Sequence, residues 1–249
     1  MNLKLIPPDS SHPAGLEPIT VDQARSQLCY SDIDQDTDIA AMISASRSLA
    51  EMYNGRLQVL NRWELAMDCW PGSANMSPSL MPNPYFGFWP SDAYRLLVGA
   101  VPGSAAISLL CPLVSVESVK WKDRSGTDHT LVENTDYIVD TYKEPGIICP
   151  APDASWPMAG LWPSSAIRIQ FTAGRVPSVA DWLAAYAAAH PSDPTPDVTP
   201  PQVPVHIVQG VKLLVSQWFT NRIPFNPIHA IAEVPFGVSA LFTSDKLWL

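Results

Sequence analysis

The sequence predicts an α+β protein: a helical bundle formed by N- and C-terminal helices, an inserted small antiparallel β-domain, and long proline-rich loops. Three observations predict it. Helical apolar spacing occurs near both ends, and short alternating runs fill the middle. The chain also has 26 prolines in 249 residues, against about 12 expected at an average near 5%, and they gather into clusters. On this pattern residues 1–58 hold the N-terminal helices and 59–174 the β-rich domain, with a loop insertion at 71–93. Residues 175–204 form a proline-rich arm, and 205–249 the closing helix and an apolar tail.

The first helix is signalled at Thr20, with Gln23 three residues on, the spacing at which each side chain satisfies an orphan amide of the other. The next segment, SDIDQDTDIAAMISASRSLAEMYNG, sets Ile39, Met42, Ile43, Leu49, Ala50 and Tyr53 at helical spacing. It opens on aspartates that complement a helix dipole and closes on Gly55. After the glycine, NRWELAMDCW alternates, with Trp63, Leu65 and Met67 on one side, as a half-buried strand does. Residues 71–93 carry several prolines and no period, so they read as a long loop.

Strand signals resume at YRLLVG and at PLVSVESVKWKD, where the apolar spacing slips between Val116 and Val119, the mark of a bulge. RSGT turns the chain, and HTLV, DYIVDTY, GIIC and AIRIQFTAG continue in short runs that describe a small antiparallel barrel or sandwich. In the arm, DWLAAYAAAH has room for about two helical turns before PSDPTPDVTPPQVP forbids regular hydrogen bonding. From Val205, the residues Ile207, Val208, Val211, Leu214, Val215, Trp218 and Phe219 mark an amphipathic helix that tolerates Gly210. This helix is expected to pack on the N-terminal pair.

Composition narrows the function. Asp and Glu outnumber Lys and Arg by 24 to 15, so a net charge of -9 gives no general attraction to phosphate backbones. No apolar run reaches the roughly 20 residues that span a bilayer, and MNLKLIPPDS breaks on two prolines, so neither a membrane span nor a signal peptide is expected. Cys29, Cys69, Cys111 and Cys149 lack paired spacing and read as free, mostly buried thiols of a reducing compartment.

No residue set announces catalysis. Asp32, Asp34, Asp36 and Asp38 imitate the start of a calcium loop, but its glycine position is Thr37 and its closing Glu position is Ile43. The five histidines are isolated, and the usual nucleophile and nucleotide motifs are missing. No catalytic, cofactor-binding or metal residue is therefore assigned, and no cofactor is expected. Nine tryptophans allow a carbohydrate platform, because flat rings stack on sugars. Yet Trp63, Trp121 and Trp218 fall on apolar faces, while Trp70, Trp89, Trp156 and Trp162 neighbour proline in loops.

Loop aromatics flanked by proline suit a rigid contact surface. Candidate partner-binding residues are Tyr85, Phe86, Phe88, Trp89, Trp156 and Trp162 in the loops, and Phe242, Leu247, Trp248 and Leu249 in the tail. Large apolar residues near a chain end call for something to cover them. Packing of the loops on their own domain is an equal alternative.

Several segments, taken in order, resemble the head-to-tail connector (adaptor) proteins of long-tailed bacteriophages. They are EPITVDQARSQL, DQDTDIAAMISASRSLAEMYNGR, NRWEL, PLVSVESVKWKDRSGTDHTL, NTDYIVD, EPGII, AIRIQFTAGRVP, VKLLVSQWFTNR and EVPFGVSALF. The resemblance spans about two thirds of the chain and departs at residues 71–93 and 177–203. It implies a structural subunit of a virion neck, assembled in the host cytoplasm into a homo-oligomeric ring of twelve. Such a ring would bind the portal protein on one side and stopper or tail proteins on the other. Genomic DNA would pass through it without sequence-specific binding, and no reaction would be catalysed. Another neck role (stopper or tail completion) and a carbohydrate-binding module or hydrolase are the competing readings.

Overall fold

A computed structural model describes residues 2–9, 12, 14–71, 99–100, 105–158, 160–221 and 236–247. The fold is mixed α+β with antiparallel strands throughout. Strand β1 (Asn2–Leu5) leads to helices α1 (Val21–Leu28) and α2 (Asp36–Asn54). Strands β2 (Asn61–Met67), β3 (Gly99–Ala100), β4 (Ile107–Ser108), β5 (Leu113–Lys122), β6 (Asp128–Leu131), β7 (Tyr137–Asp140), β8 (Ile147–Pro150) and β9 (Ile167–Ala173) follow. Helices α3 (Val179–Ala189), α4 (Val205–Thr220) and α5 (Phe236–Thr243) complete the order.

Local chemistry explains the first two helices. Thr20 and Gln23 form a reciprocal capping box on α1, each side chain bonded to the other's backbone N–H. In α2, Ile39, Ile43 and Ala50 fall on one buried face, and Gly55 ends the helix in a left-handed conformation. That face meets Ile207, Val211, Leu214 and Val215 of α4, and α5 adds Val238 and Phe242 to the same cluster. Burying each large aliphatic or aromatic side chain contributes about 1.5–3 kcal/mol.

The strands form two sheets, ordered β1-β2-β9-β5-β6 and β3-β4-β8-β7. Alternation along β9 puts Ile167, Ile169 and Phe171 inward, where they share one buried cluster with Leu65 and Val119 of the first sheet and Ile148 and Tyr137 of the second. The slip expected in β5 is present as register shifts between Leu113 and Ser115 and between Val116 and Ser118.

The sheets and helices meet at one waist. Leu57 N–H donates to the Cys111 carbonyl at 2.8 Å, and Leu247 N–H donates to Asn54 at 2.8 Å. Arg56 donates to the Asp245 carbonyl at 3.0 Å and to Glu144 at 2.5 Å, while buried Arg175 pairs with Asp245 and Gln58. Gly174 sits here with φ at +126°, and a Cβ on it would lie 2.1 Å from the Val59 carbonyl oxygen, so only glycine fits.

Three expectations change. Residues 2–5 form an edge strand paired with β2, so the chain's first residues belong to the sheet rather than to the helices. The arm's helix has 11 residues, about three turns, because Ser178 caps it one residue before the apolar run. Of the four thiols only Cys111 is buried, whereas Cys29 is exposed. The strand expected at YRLLVG lies mostly outside the described residues, which include only its last residue, Gly99, at the start of β3.

Candidate interaction site

The residues singled out as partner anchors divide into three groups. Tyr85, Phe86, Phe88, Trp89, Trp248 and Leu249 lie outside the described residues. Two others are core. Trp156 stacks on Trp70 with ring centroids 4.4 Å apart and planes 5° apart, and its Nε1–H donates to the Ala105 carbonyl at 2.6 Å. Both rings are buried, so neither offers a flat face to a sugar or a protein. Phe242 is likewise fully buried between α4 and α2. It packs over Gly210 and against Tyr53, at a ring separation of 6.2 Å. These two residues are corrections to the sequence reading: each is covered within its own chain.

Leu247 is half-buried and packs against the β cluster, its backbone held by Asn54. Trp162 alone of the described anchors is open, at 41% exposure, and it stands over the β5–β6 turn, 3.7 Å from where a Cβ on Gly126 would lie.

The arm presents a surface that sequence reasoning underrated. Its base is closed by Val176 N–H to the Pro201 carbonyl at 3.0 Å and Val203 N–H to the Val176 carbonyl at 2.9 Å. Helix α3 projects from that base, and none of its residues is buried, although the helix is mostly alanine with Trp182, Leu183 and Tyr186. Beside it runs a groove of about 590 Å³ whose apolar lining includes Leu16, Ile19, Val21, Val203, Val205 and Val208. Val205 is 83% exposed. A helix this apolar with so little burial leaves apolar side chains open to solvent. Alanine carries little periodicity signal, which is why the sequence did not reveal the face.

Among the described residues the polar side chains pair with near neighbours. Asp123 accepts from His129 at 2.9 Å and from the Ser125 hydroxyl at 2.6 Å, so the serine is bonded to the carboxylate and not to the imidazole. Hydrogen bonds from His129, Ser125 and the Thr127 N–H hold the Asp123 carboxyl far below the usual range. Burial pushes the Cys111 thiol up to about 11, which keeps it protonated and unreactive. Asp34 accepts from the Tyr30 hydroxyl at 2.5 Å and Asp36 faces Arg25 at 3.5 Å, so these two aspartates have local partners. Among the described residues no group of three potential ligands could hold a metal ion, and no helix is long and apolar enough to cross a membrane.

No family model matches the sequence, and no curated protein matches it. Solved structures do. A chain from the neck of an empty GTA particle, computed with C6 symmetry, aligns with a TM-score of 0.60 at 17% identity, covering 100% of this chain and 97% of that one. A chain from the virion of a native gene transfer agent (GTA) particle gives 0.58 at 16% identity, with coverage of 100% and 97%. A chain from the neck of a native GTA particle, computed with C12 symmetry, gives 0.52 at 17% identity over 100% and 97%. The protein therefore has, over its whole described length, the fold of chains found in the necks of gene transfer agent particles.

Proposed function

We propose that the protein is a structural subunit of a phage-like virion neck, a head-to-tail connector that assembles as a homo-oligomeric ring of twelve. The ring would sit between a portal protein and the stopper or tail proteins, with genomic DNA passing through it. In this reading the helices of residues 1–58 and 205–249 form one bundle, 59–174 are the β-domain, and 175–204 are an arm toward a neighbour. The strand at 2–5 is lent to the sheet.

The full-length fold likeness to neck chains carries the proposal. Two further observations support it. The C6 and C12 symmetries belong to those neck structures and are the kind a closed ring of identical subunits has. Helix α3 and the groove beside it also provide unsatisfied apolar area of the sort that ring contacts cover.

A reconstruction of the particle neck tests this directly. Density for a ring of this fold seated against the portal is expected. A position further toward the tail would replace the connector role with that of a stopper. Failure of the purified protein to cosediment with its portal, together with its absence from neck particles, would overturn the proposal.

A further inference from the structure

The outward face of the five-stranded sheet is polar, and most of its charges are neutralised locally. At one end Arg62 is clamped by Glu117, at 2.6 Å, and by Asp9, at 2.9 Å. In the next row Gln170 donates to Glu64 at 3.0 Å. One row further, Ala66, Arg168, Lys120 and Thr130 stand in register across β2, β9, β5 and β6. Lys120 and Arg168 are exposed, directly opposite each other, and neither has an ion-pair partner among the described residues. Like charges facing each other across an antiparallel pair destabilise it. Here their row neighbours are an alanine and a threonine, although the chain has a surplus of nine acids.

Two features decide what anion suits this pair. Nucleic acid needs a track of several free cations, and here the flanking lysines stand against acids, Lys122 beside Asp128 at 3.5 Å and Lys4 opposite Glu64, which leaves a pair of two. A short carboxylate loop from an acidic protein surface fits better. The densest acidic run of the sequence, Asp32 to Asp38, begins in the loop that joins α1 to α2. It carries Asp32 and Asp34 around Ile33, which is 72% exposed. That loop lies at the end of α2 remote from the waist, about 28 Å along a helix of 19 residues, so it serves another copy and not its own sheet.

We infer that the Lys120–Arg168 pair on the sheet of one copy receives the Asp32–Asp34 loop of a second copy, with Ile33 as the apolar anchor between the two carboxylates. This contact deepens the ring reading and rests on it. It joins two different surfaces, as a heterologous ring contact must, and it makes the basic face and the acidic loop a matched set.

The experiment measures self-association of the full-length chain by sedimentation velocity from low to high salt. The wild type should associate less as salt rises. Charge reversal by K120E/R168E, or by D32K/D34K, should weaken association about tenfold, and combining all four should restore it to within about threefold. K120A/R168A removes the repelling pair, so its unfolding midpoint should not fall while its association does. A wild type that stays monomeric at every concentration would sink the ring reading and this contact together. A wild type that associates, with K120E/R168E unchanged, would overturn this contact alone. Loss of binding to a duplex DNA oligomer in K120E/R168E, with self-association intact, would assign the pair to nucleic acid instead.

Discussion

Gly210 of α4 and Phe242 of α5 are in direct contact, and a Cβ on the glycine would come within 2.5 Å of the phenylalanine ring. The glycine that looks like a flaw in an amphipathic helix is what lets two helices close on each other. Alanine normally gains about 1 kcal/mol over glycine inside a helix. Overpacking a full core costs about 1–3 kcal/mol. Gly210→Ala should therefore lower stability in urea unfolding, and Phe242→Leu should relieve it in the double variant. A more stable Gly210→Ala protein would show that the ring moves aside freely.

The ion pair at the waist gives a second expectation. Arg175 is buried, and removing Asp245 leaves its charge without its acidic partner. Because Asp245 is itself partly open, Asp245→Ala should cost about 2 kcal/mol, below the range for a fully buried pair. Deleting residues 239–249, which removes Phe242, Asp245 and Leu247 together, should unfold the subunit rather than merely weaken assembly. Circular dichroism of the truncated chain distinguishes the two outcomes.

The two described loop tryptophans should behave in opposite ways. Trp156→Ala empties a stacked core position and should cost about 3–5 kcal/mol. Trp162→Ala should shift stability by less than about 0.5 kcal/mol and reduce incorporation into particles if that exposed ring meets a partner. Chemical denaturation and a particle-incorporation assay measure the pair.

Acid should loosen the outward sheet face. Burial raises the Glu117 pKa, but hydrogen bonds from Arg62 and Thr172 outweigh it, so the folded value lies below the ordinary 4.5. A lowered carboxyl contributes stability above its unfolded value and loses it as pH falls through the folded one. Stability from this group should thus be constant at neutral pH and decline below pH 4.5. Glu117→Gln should be less stable at pH 7 and show a shallower acid slope in pH-dependent melting.

What the sequence disclosed and what it hid divide by distance along the chain. The capping box at Thr20, the Gly55 stop and the slip in β5 depend on neighbours a few residues away, and all three are present. Strand β1 was hidden because four residues before two prolines have no period of their own, and their partner is β2, some sixty positions on. The Trp70–Trp156 stack and the burial of Phe242 under Gly210 are long-range, so proline neighbours and a terminal location suggested exposure where the fold supplies cover. Helix α3 was visible as a helix, but its lack of buried residues is a property of the whole fold.

The waist also has a mechanical reading. Among the described residues, ties between helices and sheets run along the chain from β1 to α1, at residues 55–58, at Gly174 and Arg175, and through the segment from Asp245 to Leu247. Because the ties include guanidinium forks, which can exchange one oxygen for another without losing all contact, the joint can yield under torque and recover. Under the proposed neck role, such a joint would let each copy of the chain tilt while its two cores stay closed.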